Sequence, residues 1–583
     1  MTAPSASARL RLIDATVRFG GRPVIESLSA DFRAGTVTAL IGGDGAGKTT
    51  LLSALAHPRR RQALGVTGFS PRDIGYQPAS SGVWPNMSVT ENLRFVARTQ
   101  GLSGPKADER IDRLIALTGL DDARGRIGAH LSGGMRQKLG AAMALVHRPA
   151  LLLLDESTTG VDPDSRTTLT GLMRTAADEG ATVIAATTYL DEAEDTDQVL
   201  LLDAGRLLVA GTPDAVIAQT PGSLWTRPDD GTSPLPDDER HWQRGTTIYE
   251  WRPAQPTAPA LQEGPDGPRP HPGSPDPSRP PAHEGAARAD RAHNGTTMSP
   301  RAPGDAATRV AADLESSTIS FLLDRRLQAI DAPRRDPHGP DAPARLAALE
   351  DAGSGLAPQD ADPSGAPEGE CPGPRAASTI PLVSCRAVTK RFGSFTTLDD
   401  VDLDVPAGRV VGLIGGNGAG KSTLIRLILG IDSPDRGTIE LFGAPPTRRS
   451  RRRIGYVAQS LGLYPALSPR ENLDFVQESF GVPKGARIRV ADTGEPVAAL
   501  PLGARRMLAV TCALSHSPDL LVLDEPTSGM DSLSRAMLWK RLRRASSAGV
   551  GILITTHYQQ EAAQCDVLVR LDAGRVVDSD APH

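Results

Sequence analysis

The 583-residue chain is poor in aromatic residues, which make up 4% of it, and holds only four cysteines. With 39% hydrophobic residues and so few rings, it has too little apolar surface to be globular from end to end, so part of it is expected to stay outside any packed core. Cys371, Cys385, Cys512 and Cys565 are scattered, with no CxxC pair and no metal-ligand spacing, which argues against a zinc-held fold and fits a reducing compartment. Cys512 and Cys565 read as small buried hydrophobes. Long apolar runs are missing: nothing approaches the roughly 18 consecutive residues of a membrane span. The first residues show no hydrophobic targeting core, so the chain is expected to be soluble and to reach any membrane through a partner. Excess positive charge is missing as well. A net charge of -5 argues against a nucleic-acid-coating protein, because phosphate binding of that kind needs clustered Lys and Arg.

Glycine (59) and proline (49) are plentiful, and the prolines crowd the middle third: Pro253 to Pro281 holds 11 in 29 residues. From Pro253 to Ile380 there is no lysine, and 12 arginines face 18 acidic residues. Such a composition cannot bury enough apolar surface to offset its ordering entropy, so residues 221–380 are expected to form a long, mostly disordered linker. The exception is Ala306 to Ile330, whose apolar residues recur at helical spacing and predict a docking helix. A flexible linker of ~130 residues reaches ~60 Å, enough to let its two ends face each other.

Those ends are copies. GGDGAGKTT (Gly42 to Thr50) recurs as GGNGAGKST (Gly415 to Thr423), and LLLLDESTTGVDPDSR recurs as LLVLDEPTSGMDSLSR. The repeat unit runs from about Ala8 to Gln219 and again from about Val383 to Asp578, giving domains at 8–220 and 383–579. In each, short apolar runs such as VTALI precede Gly-rich turns and helical stretches, which predicts an α/β fold with a largely buried sheet.

The pattern GxxxxGK[ST] sets backbone N–H groups and a helix N-terminus around phosphates, with a lysine for the outer phosphates and a hydroxyl for magnesium. Gly42, Gly45, Gly47, Lys48, Thr49 and Thr50 fill those places in the first copy, and Gly415, Gly418, Gly420, Lys421, Ser422 and Thr423 in the second. Each copy then ends an apolar strand in Asp-Glu, at Asp155 and Glu156 and at Asp524 and Glu525. The aspartate suits a magnesium contact, and the glutamate suits polarising a water beside the outermost phosphate.

In this order, phosphate loop, LSGGM (Leu131 to Met135), LLLLDE and TTGVD, the chain resembles the nucleotide-binding domain of ABC transporters, over about 410 of 583 residues. RFGG, the MSVTENL and ALSPRENL elements and TTHY are similar to ATPases of drug-resistance exporters with ABC-2-type permeases, especially those with two ATPase domains in one chain. The resemblance implies two P-loop NTPase domains in tandem, with ATP and Mg2+ as cofactors. It implies that Phe19 and Phe392 stack on adenine, although a core aromatic is an equal reading of both from sequence. Asp162 and Asp531 would be dimer-contact aspartates, and Ser132, Gly133 and Gly134 the signature. Magnesium would fall to Thr49, Asp155, Ser422, Asp524 and Gln459.

The copies depart from that pattern differently. The second keeps the family's glutamine as Gln459 and its switch histidine as His557; the first has Ala79 and Thr188 there, with Gln77 displaced by two residues. The first keeps LSGGM, whereas the second has LPLGA (Leu500 to Ala504) at the same distance, 24 residues before the aspartate. Pro501 removes a hydroxyl and an N–H, and Leu502 adds a side chain where glycine permits close approach. Family domains pair head to tail, so a crossed pairing within the chain would give one complete site. That site combines Lys421, Ser422, Gln459, Asp524, Glu525 and His557 with Ser132, Gly133 and Gly134. The other, mainly ATP-holding, would collect the defects while keeping Glu156. The helical stretch between glutamine and signature runs 52 residues in the first copy and 41 in the second. In the family this region receives the permease.

The expectation is therefore an ATPase at the inner face of the cell membrane that powers an exporter through separate integral-membrane permease subunits, with no nucleic-acid partner. The alternative is a soluble tandem ATPase acting on the ribosome, whose linker should be basic and helical rather than acidic and Pro-rich.

Overall fold

The computed structural model describes residues 10–19, 21–229, 235–236, 238–254, 307–331, 380–416, 418–483, 487–488, 490, 494–556 and 559–580.

Alternation within short apolar strands builds each core. In Leu151–Asp155 all five residues are buried. Leu151 and Leu153 point to one face, beside Leu51, Leu52 and Leu55, while Leu152 and Leu154 point to the other, beside Leu93, Ile115 and Leu139. A strand covered on both faces must be apolar throughout, and these runs are. The strand lies in a six-stranded sheet ordered Ile74–Gln77, Leu151–Asp155, Thr182–Ala186, Val37–Gly42, Gln198–Asp203, Arg206–Gly211, parallel except for the last pair. The second domain repeats the order with Ile454–Val457, Leu520–Asp524, Gly551–Thr556, Val410–Ile414, Val567–Asp572 and Arg575–Asp580. Antiparallel strands flank each, Leu10–Phe19 with Arg22–Phe32, and Val383–Phe392 with Phe395–Val405 and Arg436–Leu441. The α/β class, with two such domains in tandem, is as the sequence predicts.

Between the sheets and the signature helices, the first domain places helices Val89–Thr99 and Pro105–Thr118. The second has Pro469–Phe480, and among its described residues no counterpart of Pro105–Thr118. Pro105–Thr118 lies within the stretch that is 11 residues longer in the first copy.

Part of the stretch assigned to the linker is folded. Ser223–Pro228, His241–Arg244, Thr247–Arg252 and Thr308–Val310 form an antiparallel sheet, and helix Leu314–Asp331 covers it. The physical reason lies in residues at the edge of the Pro-rich run: Trp242 and Trp251 are buried at 0% and 1% exposure, with Leu224, Ile319, Leu322 and Leu323 around them. Burying two tryptophans in so small a unit supplies the apolar area that the following Pro-rich composition lacks. The predicted helix is present, beginning at Leu314 rather than Ala306. The rest of the expected linker, residues 230–234, 237, 255–306 and 332–379, lies outside the described residues.

Cys385, Cys512 and Cys565 are buried, and burial pushes all three thiols up to about 12, so they act as small apolar fillers. No helix among the described residues is long and apolar enough to cross a membrane.

Candidate functional site: two phosphate loops and their strand ends

Each phosphate loop leaves a central strand and turns into a helix, Lys48–Ala56 or Lys421–Ile428. The turn demands glycine: a Cβ on Gly42 would lie 2.2 Å from the Leu202 carbonyl oxygen, and one on Gly415 2.3 Å from that of Leu571. Lys48 Nζ donates to the carbonyls of Gly42 (2.7 Å) and Gly43 (3.0 Å), and Lys421 Nζ to those of Gly415 (2.7 Å) and Gly416 (3.0 Å). The lysines thus curl over their own loops, poised among carbonyl oxygens. Burial holds the Lys421 ammonium below its ordinary pKa, opposed by the charges of Glu525 and Asp524.

Beside each lysine, a hydroxyl meets the strand-end carboxylate. Thr49 Oγ1 donates to Asp155 Oδ1 at 3.1 Å, and Ser422 Oγ to Asp524 Oδ2 at 3.2 Å. Hydroxyl and carboxylate oxygens are the hard donors that magnesium prefers. The buried Asp155 Oδ2 has no hydrogen-bond partner among the described residues, so these atoms fit such a cation. Desolvation raises the carboxyl pKa of both Asp155 and Asp524.

Glu156 and Glu525 follow, both at φ 49, the left-handed region that costs a side-chain-bearing residue energy and recurs where function over-determines the backbone. Around Glu525 the support is full. Gln459 Nε2 donates to its Oε2 at 3.2 Å, Arg506 Nη1 to its carbonyl at 2.8 Å, and its own N–H donates to Thr555 Oγ1 at 2.9 Å. The Thr555 hydroxyl in turn donates to Asp524 Oδ1 at 2.7 Å.

In the first domain Ala186 stands opposite Asp155, where Thr555 stands opposite Asp524. Glu156 N–H falls back on the Ala186 carbonyl at 3.0 Å. Gln77 does not replace the missing glutamine. It is fully buried, and its Nε2 donates to Gln137 Oε1 at 2.6 Å, while Gln137 Nε2 reaches the Ala79 carbonyl at 3.3 Å. Thr188 is buried, and its hydroxyl has no partner among the described residues. Burial raises the Glu156 pKa, Lys48 opposes this, and the charges of Asp44 and Asp155 add to it. His557 lies outside the described residues.

Two features escaped the sequence reading. Thr555 against Ala186 was visible in the aligned ILITTHY and VIAATTY, but a threonine in a buried strand reads as packing until its partner is known. Arg506 aligns with Gln137, five residues into the signature helix, where no motif directs attention.

Phe19 and Phe392 are 64% and 54% exposed, which removes the core-aromatic alternative for both. Ser132 caps its own helix, accepting from Met135 N–H at 3.2 Å. Gly134 packs against Asp162 and Ser165: a Cβ there would lie 3.1 Å from Asp162 Oδ2. Asp162 and Asp531 cap the next helices, each taking the N–H of the serine three residues on at 2.9 Å.

Across the domains, the Leu502 N–H of LPLGA donates to Asp44 Oδ2 in the first phosphate loop at 2.7 Å. Asp531 lies over the same loop, its Oδ2 3.4 Å from where a Cβ on Gly43 would begin. Among the described residues, Ser132, Gly133 and Gly134 make no hydrogen bond to the second loop.

Two phosphate loops on doubly wound sheets, each with an Asp-Glu strand end beside its lysine, define a tandem P-loop ATPase. The ABC transporter family matches residues 25–159 and 398–528. The probable multidrug ABC transporter ATP-binding protein YbhF of Escherichia coli (strain K12) is 31% identical over 594 residues, covering 97% of this chain and 92% of its own length. The Nod factor export ATP-binding protein I of Ralstonia nicotianae is 40% identical over 228 residues, 36% of this chain and 70% of its own. A solved ATP-binding subunit of an ABC transporter aligns at 29% identity over 34% of this chain and 90% of its own, with a TM-score of 0.32. The chain belongs to the ABC transporter ATP-binding proteins: it binds ATP through its two ABC domains and is an ATPase.

Proposed function

We propose that this chain is the ATP-hydrolysing subunit of an exporter of the ABC-2 type, working at the inner face of the cell membrane through one or two separate permease chains and moving drug-like or lipophilic cargo. Its relatives' descriptions, multidrug transport and Nod factor export, support the export direction.

One complete ATP site does the work. The observation that carries this is the contact of Gln459 Nε2 with Glu525 Oε2 beside the Ser422–Asp524 pair. Ser422, Asp524 and Gln459 would hold a magnesium ion in the second domain, and Thr49 and Asp155 one in the first, where the ion would supply neutralisation of phosphate charge. Lys421 supports the outer phosphates, and Glu525 accepts the proton of the attacking water while Gln459 and Arg506 fix its side chain and backbone. His557, of the same domain, would serve as the switch residue, and the signature donors Ser132, Gly133 and Gly134 would close the site from the first domain. In the first domain Ala79, Ala186 and Thr188, met by LPLGA, leave Lys48, Thr49 and Glu156 to hold ATP with little turnover.

The permease would dock where each domain shows an exposed aromatic pair between sheet and helices, Trp84 edge-on to Phe95 at 4.7 Å and Tyr464 edge-on to Phe475 at 4.9 Å. In the second domain Tyr464 borders a cavity of about 320 Å3 lined also by Ile431, Val476, Phe480 and His516. Capture of the tagged chain from gently solubilised membranes of its host tests this. One or two polytopic proteins in near-equal amount support it, and ribosomes without a membrane partner overturn it.

A further inference from the structure

The two signature helices begin differently, and the difference is made good from the other domain. Helix Gly133–Leu145 is capped by its own Ser132. Helix Leu502–Leu514 has Pro501 at that place, which offers no side-chain acceptor, so its first N–H groups need an anion or an oxygen from elsewhere. Asp44 supplies it, taking the Leu502 N–H at 2.7 Å. A carboxylate at a helix N-terminus is held by a charge-assisted bond and by the helix dipole.

A second fastener acts on the same face. Helix Ser532–Ser547, which starts beside the first phosphate loop at Asp531, is gripped along its flank by the folded part of the middle region. Lys540 Nζ donates to the carbonyls of Asp238 and His241, Arg544 Nη2 donates to that of Leu235 at 2.9 Å, and Leu533 joins the cluster of Trp242, Trp251 and Ile319. That middle unit is anchored to the first domain. Thr220 Oγ1 donates to Ser317 Oγ at 2.7 Å, Trp251 Nε1 to the Pro221 carbonyl at 2.8 Å, and Leu314 packs with Ile41 and Val199.

We propose that the LPLGA face is a standing joint, in which Asp44 caps the second signature helix across the domains and the middle unit clasps helix Ser532–Ser547, so that this half of the pair stays closed without nucleotide. The inference rests on the internal pairing of the two domains proposed above. The loss of the signature serine is then a change of fastener: a contact that depends on nucleotide elsewhere depends here on a residue of the protein. Opening and closing with each ATP falls to the face where LSGGM meets Lys421, and the joint acts as its hinge.

Hydrogen exchange with mass spectrometry on the intact chain tests this. Without nucleotide, the amides of Leu502 to Arg505 should exchange slowly, and about five- to tenfold faster in Asp44→Ala, the factor that loss of one cap carries. Adding Pro501→Ser to that variant gives the helix its own cap and should return most of the protection. Should Asp44→Ala fail to fold, Asp44→Asn keeps the shape with a neutral acceptor and should give a smaller rise. Wild-type exchange at these amides as fast as in Asp44→Ala, with helix Ser532–Ser547 still protected, overturns the joint. Loss of protection in that helix as well, in the wild-type chain without nucleotide, overturns the internal pairing itself.

Discussion

The hydroxyl of Thr555 joins the two acidic residues of the second domain, donating to Asp524 Oδ1 at 2.7 Å and accepting from the N–H of Glu525 at 2.9 Å. Ala186 occupies the same register in the first domain, and its methyl side chain can do neither, so that only its backbone carbonyl is left to accept from the N–H of Glu156. Thr555→Ala should therefore reproduce the first domain's condition in the second. It leaves a buried carboxylate oxygen short of a donor, at a cost of about 1–3 kcal/mol in stability. Turnover should fall while ATP binding persists, read by chemical unfolding and by steady-state ATPase assays. Unchanged turnover would separate Thr555 from the positioning of Glu525.

The middle unit should prove a cooperative part of the fold. Trp251 is 1% exposed, and replacing it with alanine removes a core indole and its bond to the Pro221 carbonyl. Trp251→Ala should cost about 3–5 kcal/mol locally. Proteolysis should then cut within Ser223–Arg252 and helix Leu314–Asp331 at protease levels that leave the parent chain intact.

Stability should carry a pH signature from Glu192. Burial pushes its carboxyl from 4.5 up to about 7, with hydrogen bonds from Thr187 and Thr158 and the charge of Arg166 opposing, and Asp191 adding to the rise. A raised carboxyl binds its proton more tightly folded than unfolded, so this contribution is full below about pH 4.5 and is lost as pH rises through about 7. Thermal unfolding between pH 5 and 8 should show the parent chain losing stability relative to Glu192→Gln as pH rises. Parallel curves would contradict it.

At the proposed permease surface, Trp84→Ala and Tyr464→Ala change half-exposed side chains and should alter stability by less than about 1 kcal/mol. They should nevertheless reduce recovery of membrane partners with the chain. Full recovery from both would move the docking surface elsewhere.

Much of this was legible in advance because phosphate binding leaves local marks. Gly42, Gly47, Lys48 and Thr49 are close in sequence, as are their second-domain counterparts, and a buried parallel strand reads as an unbroken apolar run. Partnerships across long separations were not legible. Asp44 and Leu502 are 458 positions apart, and nothing in either motif says that one caps the other. The middle unit was hidden by averaging: its tryptophans lie just outside the Pro-rich stretch, and its helix is separated from its strands by residues of opposite character.

The central claim, one complete site, is tested most directly by steady-state ATPase assays of Glu525→Gln and Glu156→Gln in the full chain with its permease. Glu525→Gln should reduce turnover by at least about 100-fold, the scale on which a positioned general base acts, and Glu156→Gln by no more than about twofold. Equal losses from the two substitutions would contradict the account and make the sites equivalent partners in hydrolysis.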